Sequence, residues 1–270
     1  NIFTNDVIKV SNKNSIYTCL LSPQGKLIAD LILSDYKESL FIFSYSKFKD
    51  ELIKVLNVYK LRSKVKIEDV SNDYQYYFVD YENLKTTLNK NDIFTGNTIV
   101  SNNTLLVIDP RLAELGAHII TTDNLINGKK YEINNYNLNL NYFKYGIIPS
   151  SILSDMKKVY PLEANIHLLN GIDFKKGCYV GQEVTARMKL KSKIPKIIFS
   201  LISDRIINDE NENENVYAND QVVGKIIAKY EKFYFVAMDM RKIKGENLKT
   251  MNLCSDNSNF VINHQSWFTY

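Results

Sequence analysis

The sequence predicts an α+β protein in which mixed strands and helices occupy residues 1–190 and a small antiparallel β-barrel occupies residues 195–270. In the first region, strand-like and helix-like segments alternate irregularly, without strict β–α–β order and without a glycine-rich phosphate loop. After Arg187 the composition changes to strand-like segments. These lie at residues 194–203, 222–230 and 233–238. The charged run at 208–215 predicts a solvated loop between them, and the whole pattern favours a closed barrel.

The first region opens with two strands within residues 16–33, joined by a turn at 22–25 where proline and glycine favour chain reversal. Residues 46–60 repeat apolar side chains at helical spacing, which predicts an amphipathic helix packed on that sheet. Further strands are predicted at residues 39–44, 65–70, 74–80 and 104–108. Loops are predicted at 83–97 and 150–160, a helical turn or a strand at 112–119, and a helix at 136–145 that ends at Gly146.

Length and composition are those of an ordinary globular protein. The chain has 270 residues, of which 45% are hydrophobic and 24% are charged. This is enough to bury a sizeable core and to form more than one compact unit. No apolar run approaches the roughly 20 residues that cross a bilayer, so we expect no membrane partner.

The net charge of +4 and the pI near 8.7 are mild. A dedicated nucleic-acid binder carries a more concentrated basic surface, so the composition argues against direct nucleic-acid binding and favours a small anionic ligand. One basic stretch leaves an alternative open, because its lysines would share a face if the chain were extended. That face is either solvated or a site for the anionic tail of a ligand or an RNA phosphate; its members are Lys189, Lys191, Lys193 and Lys196.

Three cysteines, Cys19, Cys178 and Cys254, are too few and too scattered for a disulfide framework. Their odd number fits a reducing compartment, and the cytoplasm is the default expectation. The cysteines and histidines lack the spacing of metal ligands, so we expect no metal site formed by this chain alone.

The most informative run is Lys175-Lys176-Gly177-Cys178-Tyr179-Val180-Gly181-Gln182-Glu183. If its centre is extended, the Lys176 ammonium lies beside the Cys178 sulfur and favours the thiolate, while Tyr179 points the other way. Gly181 then predicts a turn into a short helix with an acidic first turn. Lys176 and Cys178 are therefore the candidate catalytic residues, against the plainer interpretations of a surface lysine and a packed cysteine.

This run resembles the lysine-glycine-cysteine-aromatic-x-glycine-glutamine-glutamate signature of the YgfZ family, whose members bind folate and maintain iron–sulfur clusters. The family is related to the glycine-cleavage T protein. Other landmarks of the family follow in order along the chain. They are Thr4-Asn5-Asp6-Val7, Leu21-Ser22-Pro23-Gln24-Gly25-Lys26, Asp109-Pro110-Arg111-Leu112, Gly146-Ile147-Ile148-Pro149, Gly224 and Ala237-Met238-Asp239-Met240-Arg241.

The resemblance implies two mixed α/β subdomains of the aminomethyltransferase folate-binding fold, a C-terminal β-barrel and a central ligand cavity. It implies tetrahydrofolate or a derivative as cofactor, and iron–sulfur client or assembly proteins as partners. The implied role is assembly or repair of four-iron clusters in client enzymes, including enzymes that modify tRNA. It also implies a cytoplasmic protein, or a mitochondrial-matrix protein in a eukaryote, with further N-terminal sequence before Asn1.

The resemblance also implies a set of cofactor-binding residues. Glu163 would accept the adjacent N–H donors of the pterin ring, Asp30 would orient the folate, and Tyr142 would pack near the pterin. The rest of the set lies in the signature or directly after it and comprises Tyr179, Gln182, Glu183 and Arg187. Gln182 and Glu183 have a competing role in complementing the helix dipole, and Arg187 lies four residues after Glu183, at the spacing of a helical ion pair.

Two alternatives remain open at the level of sequence. The first is a tetrahydrofolate-dependent aminomethyltransferase of the glycine-cleavage type, against which Ala29 replaces one of the paired aspartates of that family. The second is a non-catalytic folate-binding scaffold in which Cys178 only packs the ligand. Substitution of Cys178 separates the scaffold from a working thiol.

Overall fold

The computed structural model describes residues 2–123, 135–156, 159–191, 194–206, 214–243, 248, 251–255 and 258–268. In these ranges the chain forms two antiparallel sheets with packed helices, followed by a closed barrel. The α+β class with a C-terminal antiparallel barrel is therefore confirmed. None of the helices in these ranges combines the length and the hydrophobicity that crossing a lipid bilayer requires.

The first sheet is a three-stranded antiparallel meander. Its strands are β1 (Ile16–Leu21), β2 (Leu27–Tyr36) and β3 (Ser39–Ser44). A turn in which the Gly25 amide donates to the Ser22 carbonyl at 2.8 Å joins the first two. Helix α1 (Lys49–Lys60) follows a short 3-10 turn and contacts this sheet, as its apolar spacing predicts.

The second sheet is four-stranded, in the order β4-β7-β6-β5. Its strands are β4 (Gln75–Val79), β5 (Thr98–Val100), β6 (Thr104–Ile108) and β7 (Ala117–Thr121). Residues 112–119 realise both predicted alternatives, since a 3-10 turn at Ala113–Leu115 leads directly into β7. Strands β6 and β7 are almost wholly buried, because this sheet packs on both the main core and a smaller cluster.

The helices of the first region correct two predicted loops. Helix α2 (Tyr81–Thr87) forms within one of them because the Asp80 side chain accepts from the Asn83 amide and caps its N-terminus. Helix α3 (Asn135–Lys144) precedes Gly146 as predicted, and helix α4 (Ser150–Asp155) begins directly after Pro149, where a connection was expected.

Two predicted extended segments are also corrected. Residues 65–70 form no strand, since no strand pairs with them in the described part of the chain. The stretch around Lys189 is helical rather than extended, because it belongs to helix α5 (Gln182–Leu190). Lys193 and residues 208–213 of the charged run lie outside the described residues.

The barrel closes in the order β10-β11-β8-β13-β12-β9. Its strands are β8 (Lys196–Ser203), β9 (Asn215–Ala218), β10 (Gln221–Tyr230), β11 (Phe233–Asp239), β12 (Leu253–Cys254) and β13 (Asn259–Ile262). Strand β8 serves two cores: Phe199 points into the barrel, whereas Ile198 packs on the main core and its amide donates to the Glu163 carbonyl at 2.9 Å. The barrel is thereby joined to the first region.

Candidate functional site: an exposed cysteine on an anchored loop

The loop that carries Cys178 connects the chain at Asp173 to helix α5, and it exposes the cysteine to solvent. Gly181 adopts a φ of +81°, which turns the chain into α5 as its sequence position predicts. The amide and hydroxyl of Thr185 both donate to the Gly181 carbonyl, at 3.3 and 3.1 Å. The turn after the cysteine is therefore fixed by hydrogen bonds of the first helical turn.

The N-terminal segment anchors the other side of this loop. The Lys176 ammonium donates to the backbone carbonyls of Phe3 and Asn5, at 2.6 and 2.7 Å. The Thr4 carbonyl accepts from the Asp173 amide at 3.0 Å, and the Lys9 ammonium forms an ion pair with the Asp173 carboxylate at 2.6 Å. Two landmarks that lie about 170 residues apart in sequence thus meet at the cysteine loop.

Below the loop, the Tyr179 side chain is buried and Lys176 is half-buried. The Tyr179 side chain is buried, and burial raises the pKa of its hydroxyl to about 12. The Lys176 ammonium lies 5.4 Å from the centre of the Tyr179 ring, and burial lowers the pKa of this lysine. Since its ammonium is held by backbone carbonyls, Lys176 fastens the loop to the N-terminal segment. That Lys176 favours the thiolate form of Cys178 stays a prediction.

The remaining signature residues lie on helix α5. The Glu183 carboxylate and the Arg187 guanidinium are 2.6 Å apart, at the i,i+4 spacing that the sequence indicates. Both side chains are largely exposed, and Gln182 is half-buried at the start of the helix. This ion pair supports the helix that follows Cys178. It lies on the surface, whereas two other predicted cofactor-binding residues, Asp30 and Tyr142, are buried.

Asp30 lies in the interior on strand β2. Its Oδ2 accepts from the Ser150 hydroxyl at 2.8 Å and from the Tyr17 hydroxyl at 3.2 Å. Its Oδ1 is buried and has no hydrogen-bond partner from another residue in the described ranges. Burial raises the pKa of this carboxyl. An acceptor left unmatched in this way suits a ligand that brings its own N–H donor.

A buried polar network lies beside Asp30. Arg111 binds the Asp109 carboxylate through two nitrogens, at 3.0 and 2.7 Å, and its Nη2 also donates to the Tyr142 hydroxyl at 2.6 Å. His118 Nε2 lies 2.9 Å from Asp109 Oδ2 and its Nδ1 lies 2.7 Å from the Tyr76 hydroxyl. Although burial alone would raise the pKa of Asp109, Arg111 and His118 hold it well below its usual range. Tyr142 is therefore fixed by Arg111.

Glu163 is half-buried where the first region meets the barrel. Its Oε2 accepts from the Tyr160 amide at 2.9 Å, which closes the local turn, and burial raises the pKa of its carboxyl. The Lys26 ammonium lies 3.1 Å from the centre of the Tyr160 ring. One carboxylate oxygen of Glu163 is thus used by the protein's own backbone.

The chemistry of Asp30 and Glu163 suits the N–H donors of a pterin, since both are carboxylates withdrawn from bulk solvent. Two concavities of the described surface, one beside Asn165 and Trp267 and one beside Glu82 and Glu114, include neither residue. No local pattern predicts that Tyr17 and Ser150 donate to Asp30, because these contacts span 13 and 120 residues and exist only in the folded chain. The ion pair between Asp109 and Arg111, by contrast, has a local signal, because opposite charges stand two residues apart in the sequence.

The fold has a known counterpart. The crystal structure of glycine cleavage system aminomethyltransferase T from Bartonella henselae matches with a TM-score of 0.67, covering 99% of this chain and 79% of that chain at 10% identity. The protein therefore has the aminomethyltransferase fold, as the resemblance implied. No family model matches the chain.

Similarity in sequence is to iron–sulfur cluster assembly factors. The mitochondrial IBA57 homologues of Dictyostelium discoideum and Neurospora crassa are 28% and 30% identical over 220 and 223 residues, which cover 71% and 74% of this chain and 53% and 48% of theirs. Mitochondrial IBA57 of Mus musculus is 29% identical over 194 residues, 68% of this chain and 52% of its own. The chain spans about half the length of the curated relatives it matches.

Proposed function

We propose that this protein acts in the assembly or repair of iron–sulfur clusters, with Cys178 as its working thiol. The observation that carries the proposal is an exposed cysteine on a loop anchored on both sides, by Lys176 to the N-terminal segment and by Gly181 to the start of α5. Thiolate sulfur is a preferred ligand of iron in clusters, and an exposed thiol can reach a cluster on another protein. The names of the curated relatives support this role.

The finer proposal follows the sequence resemblance. The protein is a YgfZ-type factor that serves enzymes with four-iron clusters, including enzymes that modify tRNA. It works in a reducing compartment, the cytoplasm or, in a eukaryote, the mitochondrial matrix. A cluster at Cys178 takes its other ligands from the client or the assembly protein. Cys178 is therefore a transient ligand of the cluster.

The role of the Cys178 thiol is tested in cells that lack their own factor of this type. The protein, Cys178→Ser and the matched control Cys254→Ser are expressed at equal abundance, and the activity of a four-iron enzyme is measured. We expect rescue by the protein and by Cys254→Ser, and none by Cys178→Ser. Rescue by all three would support the scaffold alternative. Failure of all three would remove the support for a role in cluster assembly.

Folate binding is the second part of the proposal, and the unmatched Asp30 oxygen favours it. Asp30 and Glu163 would hold tetrahydrofolate or a derivative, and the bound folate would supply one-carbon carrier chemistry. Tyr17 and Ser150 orient the Asp30 carboxylate, while Arg111 fixes Tyr142 nearby. The aminomethyltransferase alternative shares the fold, but the position beside Asp30 is the fully buried Ala29, which has no carboxylate to offer.

Titration calorimetry with tetrahydrofolate tests the binding directly. We expect saturable binding that Glu163→Gln weakens about tenfold, since a charged acceptor of a ligand N–H is lost. The control Glu51→Gln changes the same group on the exposed face of α1 and leaves the affinity unaltered. Heats that do not saturate, or an equal effect of both variants, would exclude this folate site.

A further inference from the structure

Residues 64–69 have the sequence of a β-strand, yet within the described ranges no strand pairs with them. Lysine alternates with valine and isoleucine from Lys64 to Ile67, the period expected of a half-buried strand. In the described part of the chain, no backbone amide or carbonyl from Lys64 to Asp69 takes part in a backbone–backbone hydrogen bond. Consecutive N–H and C=O groups without a backbone partner can act as a template for strand pairing, as those of an edge strand do.

Positive charge that forms no ion pair in the described ranges lies just before this segment and at its first residue. Within the described ranges Lys60, Arg62 and Lys64 form no ion pair, whereas Lys66 binds Glu68 at 2.6 Å. The same stretch exposes apolar side chains. Leu61 is 83% exposed, Val58 61% and Val65 51%. Charge without a local partner, next to exposed apolar side chains, is typical of a surface that another protein covers.

Leu61 marks the point where the chain leaves helix α1. Its φ is +48°, a backbone conformation that leucine rarely adopts. An exposed apolar residue held in such a conformation gains nothing from burial within this chain. Backbone strain of this kind persists where the surrounding structure or a function requires it.

We propose that residues 64–70 bind an extended, acidic segment of another protein, which adds to them as a β-strand. The unpaired backbone groups supply the strand pairing, and Lys60, Arg62 and Lys64 select negative charge on the partner. Leu61 and Val65 are covered by apolar side chains of the same segment. This site is separate from Cys178 and does not depend on the proposed function.

The test uses a fluorescein-labelled peptide of alternating glutamate and valine. A second peptide carries proline in place of two central valines, which removes the backbone donors that a strand needs. Fluorescence anisotropy measures affinity, and hydrogen exchange follows the amides of residues 64–69. We expect saturable binding of the first peptide, at least tenfold weaker binding of the second, and at least tenfold slower exchange of these amides in the complex.

Charge reversal provides the matched control. Arg62→Glu combined with Lys64→Glu should weaken the peptide at least tenfold, whereas Lys13→Glu combined with Lys232→Glu, two exposed lysines elsewhere, should leave the affinity unchanged. All four positions are exposed, so thermal unfolding of both variants should match the parent.

Three outcomes would overturn the proposal. The first is absence of saturable binding. The second is equal binding of both peptides without slowed exchange, which would mean charge attraction alone. The third is slow exchange of these amides in the free protein together with a dimer by light scattering, which would mean that a second copy of this chain occupies the segment.

Discussion

Gly25 and Gly181 lie against each other where the β1–β2 turn meets the loop that carries Cys178. A Cβ atom on Gly181 would stand 3.0 Å from the Gly25 Cα and 2.8 Å from the Ser22 carbonyl oxygen. A Cβ on Gly25 would stand 2.9 Å from the Val184 Cβ. Both glycines have positive φ, so this contact needs glycine for its backbone conformation as well as for its space. The β1–β2 turn is therefore a support for the cysteine loop.

The first prediction concerns this contact. Gly181→Ala adds a methyl group at a positive φ and against a backbone carbonyl, so we expect a loss of about 2–3 kcal/mol in the free energy of unfolding by urea. Gly177→Ala is the control in the same loop, since a Cβ there meets nothing within 4 Å and its φ is not positive. It should cost at most about 0.5 kcal/mol. Equal costs for the two variants would show that the glycine contact does not support the loop.

The second prediction compares Lys176, which anchors the cysteine loop, with its exposed neighbour Lys175. Lys176→Met removes an ammonium that two backbone carbonyls accept from, so we expect a loss of about 1.5–3 kcal/mol in the free energy of unfolding. Lys175→Met removes an exposed charge and should change it by no more than about 0.5 kcal/mol. Equal unfolding energies in the two variants would contradict the anchoring role.

The buried pair of Asp109 and Arg111 has an exposed counterpart in the same chain. Asp239 and Arg241 show the same two-residue spacing and the same bidentate contact, at 2.9 and 2.6 Å. Asp109→Asn leaves the buried Arg111 charge without its partner, so we expect a loss of about 3–5 kcal/mol in the free energy of unfolding. Asp239→Asn should cost far less, because water screens the exposed Arg241. Similar costs would show that Asp109 is not needed to balance a buried charge.

Asp30 is expected to make stability depend on pH. Burial raises its pKa in the folded state, so the folded protein retains a proton that the unfolded chain releases above about pH 4. Stability therefore falls as the pH rises from about 4 through the folded-state pKa, by about 1.4 kcal/mol for each pH unit that separates the unfolded-state and folded-state pKa values. Asp30→Asn removes this dependence, and urea unfolding between pH 4 and 7 measures it. Asp35→Asn, on the same strand, should keep it; a constant difference between Asp30→Asn and the parent would contradict the assignment.

Local pattern predicts the first sheet and the turn at Gly181 because their determinants lie close in sequence. The alternation in residues 16–33, the helical spacing in 46–60 and the Gly-Gln-Glu sequence each specify their own element. Asp80 is also a local signal, because aspartate is favoured at a helix N-cap, where its side chain accepts from the Asn83 amide. Residues 65–70 have a strand-like pattern, but none of the strands in the described ranges pairs with them, and strand pairing depends on tertiary structure.

The surroundings of Asp30 could not be predicted, for a different reason. Tyr17, Ser150 and Arg111 come from separate elements, and none has a local pattern that points to a carboxylate 13 to 120 residues away. Family resemblance identified Asp30 and Cys178 as positions of interest. It could not show that one is buried and the other exposed, because burial depends on how the sheets and helices pack.

His167 provides the last prediction, because it is a histidine kept neutral by its surroundings. Its Nδ1 is buried without a hydrogen-bond partner in the described ranges. Burial, with a smaller contribution from Lys189, lowers its pKa to about 4. The unfolded chain binds a proton at this residue below about pH 6.5, whereas the folded protein binds it only near pH 4. Stability is therefore lost as the pH falls between these values, by up to roughly 3 kcal/mol.

Urea unfolding between pH 4 and 7 measures this loss. His167→Met replaces the ring with a side chain that does not titrate, so the free energy of unfolding should decline less steeply as the solution is acidified. His264 is exposed, and His264→Met should keep the slope of the parent protein. Equal slopes for the parent and His167→Met would mean that His167 takes up its proton at the same pH in the folded and unfolded states, and that its buried nitrogen has a partner such as an internal water.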